Sequence, residues 1–133
     1  MTEQNRLSKP LLVAVGIDAA LVLVFVLIGR GSHAEAYSLG GILTTLWPFW
    51  LALALGHVIA FRWHRPFAVN WTGIVLWAST VVFGTVFRAV SGQGLALSFV
   101  IVTALVLGVF LLGWRALYQR FLVRRAKQRA QQR

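Results

Sequence analysis

Four nearly unbroken apolar runs constrain this chain more than any other feature: roughly Leu11 to Gly29, Thr45 to Phe61, Trp71 to Val90 and Leu95 to Leu117. A helix of about 20 residues crosses a hydrocarbon core about 30 Å thick, so each run has the length of one transmembrane helix. None alternates apolar and polar residues with period two, which excludes a transmembrane barrel. With 59% hydrophobic residues, 12% charged residues and a mean hydropathy of +0.76, the 133 residues carry more apolar surface than a soluble domain of this size can bury. The expected fold is all-α, an integral membrane four-helix bundle. The absence of cysteine removes disulfide frameworks, thiolate catalysis and Cys-based metal sites together.

The connections "RGSHAEAYSLGGIL", "HRPFAVN" and "SGQG" carry the Gly, Pro, Ser and Asn of breaks between helices. In the second span Thr45 is expected to cap the start, which leaves Pro48 in the first turn, where its missing N–H costs little. That helix is expected to run on through Trp63. Of thirteen basic residues only Arg30 and Arg88 fall on one side of the spans, and the other eleven fall on the opposite side. The positive-inside rule then predicts that both termini are cytoplasmic. Trp47 and Trp50 are assigned to the outer interface, and Trp63, Trp71, Trp114 and Tyr118 to the inner one. The chain divides into a cytoplasmic N-terminus (1–10), a four-span domain (11–118) and a basic cytoplasmic tail (119–133). A cleaved signal peptide is the competing reading of span one, because "MTEQNRLSKP" is basic and Ala34-Glu35-Ala36 resembles a cleavage site. The apolar run of about 18 residues exceeds the roughly 7 to 15 of such peptides.

The +10 charge is concentrated at the C-terminus, in "RALYQRFLVRRAKQRAQQR". Helix-forming Ala, Gln, Leu and Arg predict that span four continues as a helix beyond the membrane, with Leu117 and Phe121 facing its surface. Arg120, Arg124, Arg125, Lys127 and Arg129 are placed to attract anionic lipid headgroups at about 1 kcal/mol each. No base-stacking aromatic pattern accompanies them, so nucleic acid is not an expected partner.

Asp18 interrupts the first span in "GIDAALV". At about 1.5 Å per residue it lies about 10 Å beyond Leu11, where an ionised carboxylate costs about 2.5–3.5 kcal/mol on the insertion scale. His57, six residues before Trp63, falls at a similar depth. Facing each other, the two form a candidate proton-binding pair. The alternative is a structural clasp in which Asp18 hydrogen-bonds Ser79 or Thr80 of span three. At the opposite membrane face Arg30, His33 and Arg88 bring three potential cations together. They form a candidate site for an anion such as a lipid phosphate, unless Glu35 and helix-end carbonyls satisfy them. Small residues at four-residue spacing, Ala52, Gly56 and Ala60 on span two and Gly16 with Ala20 on span one, allow close helix packing. Gly73, Ser79 and Gly84 on span three, and Gly108 and Gly113 on span four, extend that pattern.

Asp18, "GRGSH" at Gly29 to His33, "PF" at Pro48 and Phe49, "GTVFR" at Gly84 to Arg88 and "GWR" at Gly113 to Arg115 together resemble the DUF3054 family of small bacterial membrane proteins. The resemblance covers about Asp18 to Arg115. It implies a four-helix membrane protein of the bacterial cytoplasmic membrane and brings no activity with it. Two functional classes follow from the residues. One is a small proton-coupled carrier or lipid-handling protein, expected to work as a homodimer. The other is an accessory or structural subunit of a larger membrane complex. An enzyme is not expected, because no nucleophile and base stand at recognisable spacing, and His57 and His64 make a poor metal pair. No metal or other cofactor is expected either.

Overall fold

The computed structural model describes the backbone of residues 3–31, 37–61 and 66–133, and within these the side chains from Lys9 onward. The described residues form four helices and no strand: α1 (Glu3–Arg30), α2 (Leu39–Ala60), α3 (Ile74–Val90) and α4 (Leu97–Gln131), with a π-helical turn at Val69–Gly73 leading into α3. The segments Lys9–Arg30, Leu39–Ala60, Val69–Val90 and Leu97–Gln131 are each long and apolar enough to cross a membrane. The start of α1 and the end of α4 lie at one end of the bundle, here the terminal end. The α1–α2 and α3–α4 connections lie at the other, distal end.

Helix α2 starts seven residues earlier than expected. Ser38, rather than Thr45, caps it by accepting from the Gly41 N–H at 3.2 Å. The paired glycines, read as loop, are helical, and the space a Cβ at Gly41 would need is filled by the Arg30 guanidinium. Pro48 therefore lies inside the helix, not in its first turn. A proline there leaves the carbonyl four residues back without its helical donor. The Gln93 side chain supplies one, donating to the Thr44 carbonyl oxygen at 2.9 Å. The helix closes at Ala60, with the Phe61 N–H bonded to the His57 carbonyl; Trp63 lies outside the described residues. As expected, α4 is continuous from the apolar span into the basic tail.

The helices form a ring, α1–α2–α3–α4, around Val22, Phe25, Val26, Leu46, Phe49, Leu53, Leu76, Leu107 and Leu111. The closest pair is α2 and α3. A Cβ on Gly56 would lie 3.1 Å from both Leu76 and Ser79, and one on Gly84 would lie 2.5 Å from the Phe49 ring. These glycines let a backbone take the place of a side chain, the means by which helices associate in lipid. Gly16 and Ala20 do not share in this packing. They face outward on α1.

Candidate functional site

At mid-bundle the Asp18 carboxylate is fully buried and ties three helices together. From α4, Arg115 Nη1 donates to Oδ1 at 2.8 Å and Nη2 donates to Oδ2 at 2.7 Å, a bidentate ion pair. The Trp114 indole N–H donates to Oδ1 at 2.8 Å. From α2, His57 Nε2 lies 2.9 Å from Oδ2. An ionised carboxylate offers only acceptors, so His57 must carry its proton on Nε2 to make this bond. Two partners on each oxygen occupy the acceptor positions of the carboxylate. Asp18 thus meets His57 at the depth that helix rise implied. The Ser79 or Thr80 clasp is not what forms: Thr80 donates to the Leu76 carbonyl at 2.6 Å, and the partners of Asp18 come from α2 and α4.

Arg115 stands two residues before Leu117, the expected end of span four, yet it is fully buried. In a helix the Cα–Cβ bond tilts toward the N-terminus. Because α4 runs from the distal to the terminal end, that tilt carries the Arg115 side chain into the bundle. It donates to the Leu111 carbonyl four residues back at 2.9 Å, and its Nε donates to the Pro66 carbonyl at 3.0 Å. Its guanidinium stacks 4.5 Å over the ring of Trp114, whose indole N–H reaches the same carboxylate. The available signal was charge balance: an acid in an apolar span needs a cation at its depth, and "GWR" held one.

The distal end holds a second constellation. Arg30 Nη1 donates to Thr45 Oγ1 at 2.9 Å, joining α1 to α2. Arg88 donates through Nη1 to Gln93 Oε1 and through Nε to the Gly94 carbonyl, both at 3.2 Å, and its guanidinium lies 4.4 Å over the Phe99 ring. Both arginines line one cavity of about 370 Å³ between α1 and α4, together with Thr45, Ser98, Phe99 and Thr103. His33 and Glu35 lie outside the described residues. Two guanidinium groups repel one another in such a space. An anion between them would turn that repulsion into charge-assisted hydrogen bonding. Ser98, Phe99 and Thr103 were not singled out in the sequence, because the rotation of α4 about its axis decides which of its residues meet Arg30.

The tail residues Arg120, Arg124, Arg125, Lys127 and Arg129 are exposed on the extension of α4, with the Arg125 guanidinium 4.7 Å over the Phe121 ring. No group of metal-ligating residues occurs among the described residues.

No curated protein and no solved structure matches the chain. A family model does, described as a protein of unknown function and aligned over residues 15–118, which takes in the Asp18 clasp and both cavity arginines. Spanning all four helices, that match makes the chain a member of the DUF3054 family.

Proposed function

We propose that this chain is a small carrier or lipid-handling protein of the bacterial cytoplasmic membrane, with both termini cytoplasmic, and that its ligand is an anion held at the distal end. The observation that carries this reading is the pairing of Arg30 and Arg88, from different helices, on one cavity within the span. Both arginines stand at helix ends on the side of the spans that otherwise lacks cations, where two guanidinium groups facing one cavity suit an anionic ligand. The distribution of Lys and Arg supports the orientation, which opens the cavity to the outside. The role is binding rather than catalysis and needs no cofactor. Asp18 has its acceptor positions filled by Arg115, Trp114 and His57, which supports a structural role over a proton-carrying one.

The test is native mass spectrometry of the full chain from nanodiscs of phosphatidylcholine doped with phosphatidylglycerol, beside a titration with inorganic phosphate. Replacing both arginines (Arg30→Gln with Arg88→Gln) is expected to remove bound anionic species while the basic tail stays constant. Equal retention by wild type and variant overturns the reading. A second reading, an accessory subunit, is favoured by Gly16 and Ala20 facing outward on α1, where a neighbouring helix could approach closely. It predicts a partner protein at fixed stoichiometry in gentle membrane extracts. A homodimer without one would favour the carrier.

A further inference from the structure

The distal cavity has a polar rim, an apolar middle and a lone hydroxyl at its base, an order that a free anion does not need. Its α1 wall is Phe25, Val26, Gly29 and Arg30, and its α4 wall is Ser98, Phe99, Val102 and Thr103. Each set is one helix face, with Arg30 and Ser98 nearest the distal end, apolar side chains below them, and the Thr103 hydroxyl deepest on α4. From Arg30 to Phe25, and from Ser98 to Thr103, is five residues, or about 7.5 Å of descent. Gly29, Ser98 and Val102 are exposed, so the cavity opens sideways between α1 and α4 as well as at its top. A Cβ on Gly29 would meet nothing within 4 Å.

At the base stands Thr103, fully buried, with an Oγ1 that has no hydrogen-bond partner. Thr72, in the π-helical turn and away from this cavity, shares that state; the other described threonines differ. Thr44, Thr45, Thr80 and Thr85 each donate to the carbonyl four residues back. A hydroxyl left unpaired in an apolar wall is unfavourable unless something polar reaches it.

We infer that the ligand of this cavity is an anionic amphiphile: its charged head lies between Arg30 and Arg88, a polar linkage such as an ester carbonyl accepts from Thr103 Oγ1, and its chain leaves past Gly29 and Val102. This rests on the anion-binding reading and adds a class of ligand and a route to it. A cavity of about 370 Å³ is at the small end of ligand pockets. It suits a head and linkage whose chains remain in the bilayer.

The test uses the same nanodiscs and phosphate titration. The cavity-bound lipid is the fraction of phosphatidylglycerol lost in the Arg30→Gln, Arg88→Gln variant, because the basic tail holds more of it elsewhere. Thr103→Val is nearly isosteric and is expected to weaken that fraction about five- to tenfold, the value of one hydrogen bond. Gly29→Leu is expected to reduce it by narrowing the side opening. Neither change should alter phosphate binding, and matched thermal melts exclude misfolding. If the cavity takes phosphate and phosphatidylglycerol but neither variant changes lipid retention, the amphiphile inference falls while anion binding stands. Loss of phosphate and lipid together in both variants also overturns it. If wild type takes neither probe in the cavity, both readings fall.

Discussion

Arg115→Met tests the clasp most directly, because it removes the cation of a buried pair while keeping a long apolar side chain. Asp18 would keep the His57 and Trp114 bonds at 2.9 and 2.8 Å but lose the bidentate pair. Removing one partner of a buried ion pair typically costs about 3–5 kcal/mol. The insertion cost of a lone charge at mid-span, about 2.5–3.5 kcal/mol, points the same way. Neutral hydrogen bonds between membrane helices average only about 0.6 kcal/mol each, so two would give about 1.2. A double-mutant cycle separates these accounts. Asp18→Leu and Arg115→Met are each expected to destabilise by about 3 kcal/mol or more, and the double variant by much less than their sum, with a coupling of about 3 kcal/mol. Steric-trapping unfolding in bicelles reads these values. A coupling of about 1.2 kcal/mol or less, what two neutral hydrogen bonds would give, would refute the account of Asp18 and Arg115 as a charge pair. Arg115→Lys keeps the charge without the planar fork, and it should restore part of the loss.

Two further expectations concern packing and the tail. Gly84→Ala drives a methyl group to 2.5 Å from the Phe49 ring, which also packs edge-on against Phe25 at 5.4 Å. It should cost about 1–3 kcal/mol, and Phe49→Leu in the same chain should recover much of that; no recovery would mean the contact is not the cause. Changing Arg120, Arg124, Arg125, Lys127 and Arg129 to Gln should abolish the extra amide-exchange protection that phosphatidylglycerol nanodiscs give the tail over phosphatidylcholine ones. About 1 M salt should do the same to the wild type, and equal protection on both lipids would remove the electrostatic account.

What the residues disclosed in advance depended on how rigid the relevant ruler is. Helix rise is a fixed quantity, so counting from the ends of spans one and two brought Asp18 to His57 across 39 positions of sequence. Arg115 escaped the same count because depth was assigned to its backbone, while the long side chain reaches further into the bundle. Helix starts were read from glycine and proline chemistry, which failed at α2. Gly41 serves the approach of Arg30, and Pro48 is tolerated because Gln93, far along the chain, caps the freed Thr44 carbonyl. Both are tertiary facts with no local trace. The distal arginines stood out by breaking the charge asymmetry, but their cavity depends on the facing of α1 and α4, which periodicity leaves open.

The clasp also has a history within each molecule's own synthesis. His57 is 39 positions from Asp18, whereas Arg115 is 97 away, on the last helix. At about 5–20 residues per second, some seconds separate their emergence from the ribosome. During that interval the imidazole is the first of the carboxylate's ionisable partners to arrive. The final helix then brings the guanidinium, and with it the bond that closes the ring. A chain stalled before α4 would hold Asp18 by His57 alone, without the cation that balances its charge.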